Sequence, residues 1–118
     1  MSAPAARILV VDDEVDVQEV VVDVLSEGGY QVEAVGSAAE ALEALARDAW
    51  DLVIADVRLG DQPGPELARE IARRQPALSN RIIFVTGDLA TAPDCAPVIR
   101  KPFTVDAVLD AVGERLSS

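Results

Sequence analysis

Ile8-Leu9-Val10-Val11-Asp12-Asp13 runs four apolar residues straight into two carboxylates. The same construction returns in Leu52-Val53-Ile54-Ala55-Asp56, in Ile82-Ile83-Phe84-Val85-Thr86 and, more briefly, in Val98-Ile99-Arg100-Lys101. Short solid apolar runs of this kind are what strands look like when helices cover both faces of a parallel sheet. In such a sheet all strand carboxyl ends lie on one edge, and ligands bind in the crevice there. The pattern therefore predicts that Asp12, Asp13, Asp56, Thr86 and Lys101 converge on one site.

Between these runs the periodicity changes to that of helices. Val17, Val20, Val21, Val24 and Leu25 share one face of a first helix, which Gly28-Gly29 stops. Ser37-Ala38-Ala39-Glu40 matches a capping box and opens a second, with Ala38, Ala41, Leu42, Leu45 and Ala46 as its expected buried face. A third starts near Gly64-Pro65 and ends before Pro76. The last begins at Thr104 and is expected to bury Val105, Val108, Leu109, Val112 and Leu116. Tyr30 to Val35 alternates instead of running solid, which suits an edge strand. The alternation of strands and helices predicts an α/β fold, a doubly wound five-stranded parallel sheet of order 2-1-3-4-5 with helices on both faces. Gly87 to Pro97, with prolines at 93 and 97, leaves room for a loop or a single turn, so the fourth helix should be reduced or absent.

Size and composition narrow the function. The 118 residues suit one domain, residues 1–118 with a core of about 7–116, and half are apolar. No apolar run approaches the roughly 20 residues of a membrane span, so no membrane insertion is expected. The segment Met1 to Ala6 lacks the features of a secretory signal. The single cysteine, Cys95, excludes an intrachain disulfide and suits a reducing compartment, so the expected location is cytoplasmic. The chain contains no histidine, which excludes His/Cys zinc clusters, Ser-His-Asp triads and a phosphohistidine carrier. A net charge of −11 argues against direct nucleic-acid binding, which needs cations to neutralise phosphates.

Three carboxylates on one edge repel one another unless a cation neutralises them. Mg²⁺ suits the arrangement, because it takes oxygen ligands, keeps waters and leaves room for a phosphate, whereas Ca²⁺ demands more protein ligands. A carboxylate can also act as a nucleophile and form an aspartyl-phosphate, and Asp56 is the central candidate. Thr86 and Lys101 are placed to bind the transferred oxygens, whose charge must be met as a phosphoryl group moves.

Asp12-Asp13, Asp56-Val57-Arg58-Leu59 with Gly64 following, Thr86-Gly87 and Lys101-Pro102-Phe103 together resemble the signature of response-regulator receiver domains. The resemblance spans about Arg7 to Leu116. It implies a flavodoxin-like fold and a phosphorelay function, in which Asp56 accepts a phosphoryl group from a histidine kinase or histidine phosphotransfer protein. It further implies a downstream protein effector and no enzymatic activity beyond the module's own phosphorylation and dephosphorylation. Mg²⁺ would be bound by Asp13, Asp56 and the backbone carbonyl of Arg58, with Asp12 acting through water. Thr86 and Lys101 would hold the phosphoryl group, and the Lys101–Pro102 peptide would be cis. Val98 stands where receivers usually carry an aromatic residue, and the segment from Thr86 to Lys101 is short for the family, which puts the usual switching surface in question. Arg58 and Asp88 are expected to pair across the mouth of the site and restrict attacking water. Two other readings are a receiver-like interaction module that works without phosphorylation, and a phosphohydrolase with an aspartyl-phosphate intermediate. The latter calls for a second acid two residues after the nucleophile, where Arg58 stands.

Overall fold

The computed structural model describes residues 5–87 and 96–117. In chain order the elements are β1 (Arg7–Val11), α1 (Val15–Glu27), β2 (Gln31–Val35), α2 (Ala38–Arg47), β3 (Leu52–Asp56), α3 (Gly64–Arg74), a 3₁₀ turn at Pro76–Leu78, β4 (Ile82–Thr86), β5 (Val98–Arg100) and α4 (Val105–Leu116). The five strands form one sheet, and each neighbouring pair is parallel in the order β2-β1-β3-β4-β5. This is the predicted doubly wound arrangement, with β1 and β3 side by side where the winding reverses direction.

Because side chains alternate across a strand, each apolar run feeds two cores. Leu9, Val11, Val53, Ala55 and Phe84 pack beneath Ala41, Leu45, Leu67 and Ile71 of α2 and α3. Ile8, Val10, Ile54, Ile83 and Val85 face the other way, against Val21, Leu25, Val108 and Val112 of α1 and α4. The register sets Val11 opposite Ala55, Asp56 opposite Val85 and Thr86 opposite Arg100. The polar residues that terminate the strands are thereby brought to a single edge.

The helix faces depart from expectation at three places. Val20 is 50% exposed, because the buried stripe of α1 is centred on Val21, Val24 and Leu25 and leaves Val20 at its margin. Val105 is 54% exposed: it is the first residue of α4, and periodicity fixes the phase of a stripe but not where along it the packing begins. In α2, Ala44 is buried and Ala46 is exposed, the reverse of the predicted choice. Alanine carries too weak a hydrophobic signal to set the phase of a stripe by itself. The expected reduction of the fourth helix concerns a stretch that lies largely outside the described residues, as do Asp88 and Cys95.

Helix α2 starts as its sequence predicts. Ser37 Oγ accepts the Glu40 amide at 3.1 Å, and Glu40 Oε1 accepts the Gly36 amide at 3.1 Å. The loop from β3 to α3 is folded back on itself, with the Gly64 amide donating to the Val57 carbonyl at 2.8 Å and Arg58 bridging to Pro63. Here Gly64 passes so close to the end of β3 that a methyl group on it would overlap the Asp56 carbonyl oxygen. The obstructing atom is backbone and has no rotamer to move into. Gly64→Ala should accordingly lower the unfolding free energy by about 1–3 kcal/mol in a urea titration; an unchanged midpoint would show that the loop yields freely.

Candidate functional site

Asp12 leaves β1 still hydrogen-bonded as a strand residue, its amide donating to the Val35 carbonyl at 3.1 Å. The Gln18 side chain, reaching from α1, donates to the carbonyls of both Asp12 and Val35 and fixes the strand ends to each other. The Asp12 carboxylate then turns back on its own chain: Oδ1 accepts the Glu14 amide at 2.9 Å. Asp56, the last residue of β3, repeats the motif, with Oδ1 accepting the Arg58 amide at 2.8 Å. Each carboxylate thus spends one oxygen on the amide two residues ahead, the local bond that makes Asp favourable at turns.

The second oxygens share a cation. Lys101 Nζ lies 2.8 Å from Asp56 Oδ2 and 3.3 Å from Asp12 Oδ2. Its backbone is placed by β4, since the Lys101 amide donates to the Thr86 carbonyl at 2.8 Å, and the following Lys101–Pro102 peptide is cis. The side chains of Asp12 and Asp56 are only 3% and 9% exposed, and that of Lys101 is 18% exposed. Burial is the strongest influence on Asp12 and raises its carboxyl above the usual range, although the Glu14 amide and Lys101 pull it back. Burial alone would depress the Lys101 ammonium, but its hydrogen bond to Asp56 and the charges of Asp12 and Asp56 outweigh that, so it is shifted upward.

Asp13, exposed beside this pair, completes a cluster in which one carboxylate oxygen from each of Asp12, Asp13 and Asp56 lies within 4.8 Å of the others. Three hard oxygen donors around a common point, one partly open to water, fit Mg²⁺. With one ammonium against three ionised carboxylates, the cluster remains short of positive charge. Above it opens a cleft of about 330 Å³ lined by Asp13, Glu14, Asp56, Arg58, Thr86, Gly87 and Lys101. Every site residue anticipated from the strand ends is therefore at one place. Asp88, the partner expected for Arg58, lies outside the described residues. Glu14 and Gln18 escaped the sequence reading. Glu14 contributes a backbone amide, which carries no side-chain signature, and Gln18 acts across 17 residues on the Val35 carbonyl.

Residues 8–112 match the model of the response regulator receiver domain family. The chain belongs to this family, the receiver domains of two-component systems. It is 36% identical over 113 residues to the response regulator protein FleR of Pseudomonas aeruginosa, covering 92% of this chain and 24% of FleR. The chain thus spans about a quarter of the length of that relative. It is 31% identical to the response regulator receiver protein CpdR of Brucella abortus, where the match covers 93% of this chain and 96% of CpdR. Among solved structures, the response regulator protein TrrA of Thermotoga maritima, in complex with Mg²⁺-BeF, superposes with a TM-score of 0.85 at 30% identity, covering 93% of this chain and 98% of that one. Among the described residues no helix is long and apolar enough to cross a membrane.

The raised Asp12 carboxyl has a consequence for stability. Between the ordinary value near 3.8 and its value in the folded chain, the native state keeps a proton that the unfolded chain has released. Stability therefore falls as pH rises through that window, and the ionised group burdens the fold above it. In a chelator, Asp12→Asn should be more stable than the unaltered chain at neutral pH, and the gain should vanish below about pH 3.8. Urea unfolding across the range checks this; a less stable variant at pH 7 would mean that the pairing with Lys101 outweighs the burial.

Proposed function

We propose that this chain is the phosphoacceptor module of a two-component phosphorelay, a single receiver domain with its core over about residues 7–116. Asp56 takes a phosphoryl group from a phosphohistidine donor, on a histidine kinase or a histidine phosphotransfer protein, and the modification alters binding to a downstream protein effector. The observation that carries the reading is the state of the Asp56 carboxylate: at the end of the central strand, held by the Arg58 amide through one oxygen and by Lys101 through the other, and open to a cleft.

Within the cluster of Asp12, Asp13 and Asp56, Asp13 and Asp56 would hold Mg²⁺ together with the backbone carbonyl of Arg58, and Asp12 would act through water. Bound there, it would relieve the repulsion among the carboxylates and draw charge from the phosphoryl oxygens. The residues of the chain do the rest. The Arg58 amide fixes the rotation of the Asp56 carboxylate, so that its second oxygen is held at Lys101 in the lining of the cleft, already oriented before a donor arrives. An O–P bond forms as the donor's N–P bond breaks, and the electron pair stays on the donor nitrogen. The Thr86 hydroxyl and the Lys101 ammonium, both lining the cleft, meet the phosphoryl oxygens as their charge shifts. Lys101 is shared between Asp12 and Asp56 beforehand, so it needs little reorganisation to serve a new anion beside Asp56. The chain acts on no substrate but itself in this scheme.

The reading is tested with acetyl phosphate and Mg²⁺, followed by intact mass. The expected result is the gain of one phosphoryl group, abolished by Asp56→Ala and by omission of the metal, and reduced in Lys101→Met. No adduct with acetyl phosphate or with a phosphorylated histidine donor would favour an interaction module that works without phosphorylation. Multiple turnovers on small phosphate esters would point to a phosphohydrolase instead.

A further inference from the structure

The first turn of α2 is capped twice. Ser37 already accepts the Glu40 amide at this end, and Glu40 reaches back to the Gly36 amide just before the cap. A second cap comes from a distant loop: Asp61 Oδ1 accepts the Ala38 amide and Oδ2 the Ala39 amide, each at 3.0 Å. These bonds hold the Asp61 carboxyl below the usual range, which keeps it charged at the positive end of the helix. Asp61 sits in the β3–α3 loop, and that loop forms one wall of the acidic cluster. Its Arg58 amide holds Asp56, and at Gly60 a methyl group would lie 3.7 Å from Asp13 Oδ2, so the backbone passes directly beside the Asp13 carboxylate. The base of the loop is closed by Gly64 on Val57 and by Arg58 on Pro63. Asp61 fastens the far end.

We propose that Asp61 is a positioning residue, clamping the β3–α3 loop to the first two amides of α2 so that the Arg58–Gly60 backbone stays at the distance from Asp13 and Asp56 that a divalent cation requires. This rests on the reading of the cluster as a Mg²⁺ site. Leu59 anchors one side of this wall in the core, whereas Gly60 beyond it is exposed and has no side chain to pack, so the tether at Asp61 holds the side of the wall that runs past Asp13. Groups that orient metal ligands from behind are worth roughly tenfold or more in affinity. Coupling of this kind is reciprocal, so cation binding should also tighten the cap.

The test is a Mg²⁺ titration of the ¹⁵N-labelled chain, followed at the Arg58 and Gly60 amides, together with amide exchange at Ala38 and Ala39. Asp61→Ala should weaken Mg²⁺ binding roughly tenfold, and Asp61→Asn, which keeps one acceptor oxygen, should fall between it and the unaltered chain. Ser37→Ala serves as the control, since it removes a cap from the same helix end without touching the loop. Both alanine variants should lower the melting temperature, but Ser37→Ala should bind Mg²⁺ as the unaltered chain does. In the unaltered chain Mg²⁺ should slow exchange at Ala38 and Ala39. Equal Mg²⁺ affinity in Asp61→Ala and the unaltered chain, or equal weakening by both alanine variants, would overturn the clamp and leave the phosphoacceptor reading standing. Failure of the unaltered chain to bind Mg²⁺ would overturn both.

Discussion

The organisation of the site depends on one ammonium ion held between two carboxylates at the end of a parallel sheet. Asp12 and Asp56 are nearly excluded from water and face each other across adjacent strands. Unrelieved, a buried ion costs several kcal/mol. Lys101 offsets much of that cost, and its placement owes little to side-chain freedom. Its own amide extends the β4–β5 ladder by one residue, so the backbone delivers the ammonium to the shared oxygens. The ordering entropy of a long lysine side chain is spent in folding, before any ligand arrives.

The two aspartates are built alike and differ in environment. In each, one oxygen is bound to the amide two residues on, so neither carboxylate can rotate away from the other without losing a backbone partner. Asp13 is the exposed counterpart, open to solvent, and it joins the cluster from outside. A rigid buried pair and a wet third carboxylate form a graded entrance from water to the interior of the cleft.

Much of this was legible in the sequence because strand ends are marked twice, by the close of an apolar run and by the polar residue that follows. Sheet order and convergence followed from the handedness and crevice rules of parallel sheets. The helix faces were less legible. Alanines in α2 leave the phase ambiguous, and the exposure of Val20 and Val105 depends on where a neighbour's packing ends. Least visible were groups acting through space: Gln18 on the β2 terminus, and Asp61 on amides 22 and 23 residues earlier in the chain. No spacing rule connects a loop acid to a helix already equipped with its own serine. Gly64 is legible as a helix start and as part of a motif, but the reason for a glycine there, the Asp56 carbonyl pressed against it, is visible only in the fold.

The sheet has two outer strands, and neither invites another strand to pair with it. On one side β2 carries Gln31 and Glu33, with Glu33 bound to Arg47 at 2.8 Å across the rim. On the other, β5 is only three residues long. Charge on one margin and brevity on the other are the usual defences against edge-to-edge aggregation. With strand addition disfavoured at both margins, the surface this molecule offers to its surroundings is one of helices and loops, and the cleft at the strand ends opens among those loops.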